Sequence, residues 1–145
     1  MSDANSGIPV DQRVGVRLRI SALWLATLFL FAYGDIFGFF KPGQIEEVIS
    51  GEIGGIEITE VFLLGASVYI TIATLMVFLS LVLPPRIDRW TNIVLPILYV
   101  VSVVASAIGE TSAYFLFLSG VEIALLVLIA WFAWTWPRQQ ENHGG

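Results

Sequence analysis

Residues 61–83 read VFLLGASVYITIATLMVFLSLVL, without a single charge. About 20 helical residues cross the roughly 30 Å of hydrocarbon in a bilayer, so this run is long enough to span one. It lacks the apolar–polar alternation of a barrel strand, and hydrocarbon cannot hydrogen-bond a bare backbone, whereas a helix satisfies its own. Pro84-Pro85 follows at once and ends the helix, because proline has no N–H to continue the ladder.

Working outward, three more runs have the same character, at 20–40, 91–109 and 111–136. The chain carries 12 acidic and 7 basic residues, yet only Asp35 and Glu122 fall inside the four spans. With 57% hydrophobic and 13% charged residues in 145, it lies far from an ordinary soluble domain, where about 25% are charged. The expected fold is an all-α membrane protein, an antiparallel four-helix transmembrane bundle with short loops. The membrane domain covers 18–137, between a polar tail at 1–17 and another at 138–145. The first span is too long for a signal peptide and lacks a small-residue cleavage site, so it is expected to be permanent.

Basic residues set the orientation. Arg13, Arg17 and Arg19 precede the first span, Arg86 and Arg89 lie between the second and third, and Arg138 follows the fourth; only Lys41 lies on the other side. That split predicts both termini in the cytoplasm and an inner-membrane location. The outer loop then carries Glu46, Glu47, Glu52 and Glu57. Within it Ile45, Val48 and Ile49 recur at helical spacing and Gly51 offers a stop, which predicts a short amphipathic turn before a flexible Gly54-Gly55. Trp90, Trp131, Trp134 and Trp136 crowd the cytoplasmic side as an interfacial belt. Pro96 stands inside the third span, where it favours a kink.

Several chemistries are excluded. The chain has no cysteine, and His143, in a polar tail, is its only histidine, so thiolate or histidine metal sites, a serine–histidine relay and bis-histidine haem cannot be built within it. The net charge of −5 offers no footprint for nucleic acid. No metal or cofactor is expected.

What remains is carboxylate chemistry. Asp35 and Glu122 have no lysine or arginine within the spans to pair with, and a bare carboxylate in hydrocarbon is costly unless it takes up a proton, faces water or binds a cation. On the fourth span Ser119, Glu122, Leu126, Ala130 and Ala133 share one face; on the first, Trp24, Leu28, Phe31, Asp35 and Gly38 do. Ser119 and Tyr33 are the nearest polar candidates to complete a proton, cation or ligand site with the two acids. Glu60 and Glu110 stand at the outer mouth. A protonated Glu122 that merely locks the bundle by a cross-helix hydrogen bond is the structural alternative. Small residues at Gly34 and Gly38, at Gly65 and Ala73, and at Ser102, Ser106 and Gly109 allow close helix approach.

Ser21-Ala22-Leu23-Trp24, Tyr33-Gly34-Asp35-Ile36, the segment from Gly51 to Thr59, Arg89-Trp90-Thr91-Asn92-Ile93, Val121-Glu122-Ile123 and Trp131 to Pro137 together resemble a family of small bacterial four-helix membrane proteins of unknown function. The likeness covers about 17–137 and departs at Gly34, where alanine is expected to be common. It implies the bundle and a bacterial inner membrane, and no activity.

The functional expectation is a non-enzymatic inner-membrane protein whose carboxylate-containing bundle binds a proton, a cation, a hydrophobic ligand or a membrane partner. The alternatives are a proton-coupled small transporter and a membrane enzyme acting on a lipid-soluble substrate. Expected partners are the lipid bilayer and either a second copy or a larger membrane complex, the latter docking on Phe37, Phe39 and Phe40.

Overall fold

A computed structural model describes residues 13–137. Arg138 and His143, and the outermost parts of both polar tails, lie outside the described residues. Four long helices are apolar enough to cross a membrane: α1 (Val16–Gly38), α3 (Glu60–Val82), α4 (Pro85–Ala107) and α5 (Ala113–Trp134). Each has 22 or 23 residues, about 34 Å at about 1.5 Å per residue, a little more than a bilayer's hydrocarbon. They form an antiparallel bundle in which α1 packs between α3 and α5, and α4 packs along α5. The α3 and α4 backbones scarcely approach; side chains fill that seam.

The bundle has two unlike ends. At the arginine end lie the start of α1, the α3–α4 turn and the end of α5, and the Arg17 guanidinium rests 5.6 Å from the Trp136 ring centre. At the acidic end lie the segment from Phe39 to Thr59 and the α4–α5 turn. Most buried residues belong to the arginine half or the middle, with Val103 reaching nearest the acidic end: Ile20, Ser21, Trp24 and Thr27 of α1; Ala73, Met76 and Ser80 of α3; six residues from Asp88 to Val103 of α4; five from Ser119 to Ala133 of α5. No residue is buried in 28–38, 60–72, 104–107 or 113–118. Even the inward-facing Phe31, Gly34 and Leu118 there keep some accessibility.

Pro84-Pro85 both ends α3 and begins α4. Leu83 is extended, and Pro85 takes the first helical position, where its missing N–H would have had no partner anyway. The third span therefore starts six residues earlier than its apolar run, which brings Arg86, Asp88 and Arg89 into the helix. Pro96 stays inside a helix that continues through it.

In the acidic segment, α2 (Gln44–Ser50) is the expected amphipathic turn, and Gly51 stops it with φ of 89°. Gly54 and Gly55 are not a loose linker. Both have positive φ, 56° and 78°, and they join β1 (Glu52–Ile53) to β2 (Ile56–Glu57) in an antiparallel hairpin. A two-residue turn with left-handed backbone matches the natural twist of the strands it joins.

Candidate functional site

Glu122 lies nine residues into α5, about 14 Å from the acidic end and near mid-bundle. Its residue is only 7% exposed. One carboxylate oxygen lies 4.0 Å from where a β-carbon on Gly34 would sit, with Leu118 3.9 Å from the same point. Gly34 thus faces α5, and a methyl group there would make ordinary contact, so alanine fits. Gly38 has open space beside it.

Among the described residues no side chain hydrogen-bonds the Glu122 carboxylate, which faces Gly34 of α1. Ser119 is buried one turn away on the same face. Asp35 is only three residues from the end of α1, closer to the surface than its apolar run implies, and it is exposed. Tyr33 is 51% exposed and packs against Phe37, on the outside of the bundle, so it does not join the two acids. Ser119 and Glu122 share the buried face of α5, and Asp35 follows Gly34, the α1 residue that faces Glu122.

Tyr69 belongs to an aromatic cluster. Its ring centre is 4.4 Å from that of Tyr99 and 5.9 Å from that of Phe31, and Phe31 stacks on Tyr99 at 6.0 Å. The Tyr69 hydroxyl pairs with that of Ser102 at 2.6 Å, and the Tyr99 hydroxyl donates to the Tyr69 carbonyl. These contacts fill the α3–α4 seam, and Phe31 and Tyr69 remain part-accessible.

The two mouth residues differ. Glu60 is exposed at the start of α3. Glu110 is held by the Ser112 hydroxyl at 2.7 Å, the Ser112 and Thr111 amides at 2.9 and 2.8 Å, and Lys41 at 3.1 Å. The Ser112 hydroxyl and amide, then Lys41 and the Thr111 amide, depress its pKa from 4.5 to about 2. Because the folded-state value is depressed, this contribution to stability is complete above about pH 4.5 and is lost as pH falls through about 2. Lys41 is the only lysine. Reductive ¹³C-methylation makes it the single side-chain NMR probe, whose resonance is expected to shift as pH falls toward 2 and to lose that titration in Glu110→Gln. A cleft of about 520 Å³ between Phe37, Phe40, Lys41 and Tyr114 lies beside this pair.

A second polar group sits at the arginine end, and sequence reading did not find it. Asp88 is fully buried. One carboxylate oxygen accepts from the Asn92 amide at 2.6 Å; the other has no hydrogen bond and faces Arg17 Nε at 3.9 Å. Asn92 Oδ1 accepts from Trp24 Nε1 at 2.7 Å, and Ser80 Oγ lies 3.3 Å away. The amide can point only this way, since indole only donates and a carboxylate accepts. Arg17 also donates to the Leu81 carbonyl at 2.9 Å. The available signal was the Asp88/Asn92 pair at i, i+4 spacing, with Trp24 set well inside its helix rather than at an interface.

Among the described residues no three His, Asp or Glu side chains converge as a metal site would require. Residues 12–143 match the model of a family of unknown function, DUF6326. The chain belongs to this family. No curated protein and no solved structure matches it. The resemblance read from about 17–137 is therefore DUF6326 membership over almost the whole chain, and the family description carries no activity to transfer. Within the DUF6326 chain the two polar groups differ in kind: the Asp88 group is tied across helices, while Glu122 is buried and untied.

Proposed function

We propose that this DUF6326 chain is a non-enzymatic, multi-pass protein of the bacterial inner membrane that binds an exchangeable proton or cation at Glu122. In this reading the arginine end faces the cytoplasm, with Arg13, Arg17, Arg19, Arg86 and Arg89 on that side against Lys41 on the other. The carrying observation is that Glu122 is 7% exposed yet accepts no hydrogen bond among the described residues. A carboxylate used as a lock would be tied across helices, and such a lock exists elsewhere, at Arg17, Asp88 and Asn92. Without a protein donor, a proton, a cation or water offsets the cost of the carboxylate, and the first two are exchangeable ligands. The loosely packed acidic half offers the route to it.

A hydrophobic carbodiimide, which modifies protonated carboxyls in apolar surroundings, tests this. With the purified full chain in detergent, dicyclohexylcarbodiimide is expected to modify Glu122, located by peptide mass spectrometry, and Glu122→Gln is expected to remove that adduct. No adduct at Glu122 in the wild-type chain would overturn the proposal.

A further inference from the structure

We infer that the arginine end binds anionic phospholipid, with Arg19 and Arg89 taking headgroup phosphates on two sides of the α5 terminus. This site is independent of what exchanges at Glu122.

The arginine end carries positive charge that its own surface does not answer. Among the described residues it holds Arg13, Arg17, Arg19, Arg86 and Arg89 and a single acid, Asp88. Asp88 is fully buried and faces Arg17, so it offsets one guanidinium and leaves four without a carboxylate. Exposed Lys41, by contrast, is matched to Glu110 at the acidic end. A zwitterionic headgroup would bring a cationic group to the arginine end and find no exposed acid there. An anionic headgroup brings no such group, and the four guanidiniums favour it.

Two of the four are already held in place. Arg19 Nε donates to the Val14 carbonyl at 2.8 Å, and its guanidinium centre lies 5.7 Å from the Phe132 ring centre. Arg89 Nη2 donates to the Trp134 carbonyl at 3.1 Å, and its guanidinium centre lies 6.0 Å from the Trp134 ring centre. One backbone bond and one ring thus fix each fork. Among the described residues both terminal nitrogens of Arg19, and Nη1 of Arg89, make no hydrogen bond. A planar guanidinium matches the oxygens of a phosphate, and holding it in advance lowers the ordering cost of binding. Phe132 and Trp134 are two positions apart on α5, so α1 and α4 present their arginines on different sides of it. Trp90, Trp131 and Trp134 are exposed at this end, and indoles settle at headgroup depth. Acyl chains keep a lipid phosphate at that depth, which a soluble phosphate lacks.

The test is native mass spectrometry of the full chain in detergent, titrated with phosphatidylglycerol or with phosphatidylcholine of the same acyl chains. Phosphatidylglycerol is expected to bind at least tenfold more tightly. That ratio should fall about fivefold in Arg19→Gln or Arg89→Gln, the equivalent of about 1 kcal/mol for a basic residue at an anionic surface. It should fall further in the double variant and stay unchanged in Lys41→Gln. Because the readout is a ratio, a variant that folds poorly loses both lipids rather than the preference; should Arg89→Gln do so, exposed Arg19→Gln decides. Equal binding of the two lipids by wild type, or an unchanged ratio in Arg19→Gln, overturns the inference. So does displacement of phosphatidylglycerol by inorganic phosphate at constant ionic strength, which would mark a site for soluble phosphate.

Discussion

Arg17→Ala is expected to lower the unfolding free energy of the bundle by about 3 kcal/mol, measured by denaturant titration in mixed micelles. The side chain reaches two other helices and the segment after a third: it donates to the Leu81 carbonyl of α3, faces the Asp88 carboxylate of α4 at 3.9 Å, and covers Trp136 just beyond α5. Removing one partner of a buried ion pair strands the other charge, at about 3 to 5 kcal/mol. The lower figure applies because the Arg17 side chain is 32% exposed, so water can reach the gap, while Asp88 is fully enclosed. Neutralising the stranded partner should recover much of the loss, so Arg17→Ala/Asp88→Asn is expected to be more stable than Arg17→Ala alone. Equal stability of the two would mean that the pair does not hold the arginine end. Arg17→Lys should fall between, since an ammonium keeps the charge but cannot present the planar fork that serves Leu81 and Asp88 together.

The bundle was legible in the sequence because hydrocarbon imposes a severe rule on composition: charge leaves the spans, and the remaining chain is short. Prolines marked the ends, and helical spacing placed Ser119, Glu122, Leu126 and Ala133 on the buried face of α5. The misplacements share one cause. Apolarity locates where the membrane is, not where a helix begins, so the third span was read from Thr91 although α4 starts at Pro85. Asp88 was thereby assigned to a loop, where a carboxylate needs no partner, and the chain from Arg17 through Asp88 and Asn92 to Trp24 stayed hidden. Its members are 71 and 68 positions apart in the Arg17–Asp88 and Trp24–Asn92 pairs, a distance that local patterns do not bridge. Tyr33 shows the complementary difficulty: adjacent to Gly34 in sequence, it is rotated away from Glu122 by the helix, and its proximity to Asp35 along the chain says nothing about a shared face. The Gly54-Gly55 hairpin was likewise read as flexibility, since glycine pairs suit both a linker and a tight turn, and pairing across β1 and β2 decides between them.

Asn92→Ala is expected to cost about 2 to 4 kcal/mol in the same titration. Single interhelical hydrogen bonds in a bilayer average only about 0.6 kcal/mol, because a helix separated from its partners finds others. Asn92 differs because its removal leaves two buried groups unmet at once, the Trp24 indole N–H and one oxygen of Asp88, and an unmet buried group costs about 1 to 3 kcal/mol. Trp24→Phe removes one donor and keeps the ring beside Tyr99, with which Trp24 makes an edge contact at 5.5 Å; its loss should be the smaller. If the double variant loses less than the two single losses added, Trp24 and Asn92 are coupled through the bond; strict additivity would mean that it contributes nothing. The same variants separate the two ends of the molecule. Trp24 and Asn92 lie in the closed, arginine half, so Trp24→Phe should leave carbodiimide modification of Glu122 unchanged under conditions where the chain is folded. A matching loss of modification would show that the tied and untied polar groups act as one unit, and that the closed end sets the geometry at Glu122.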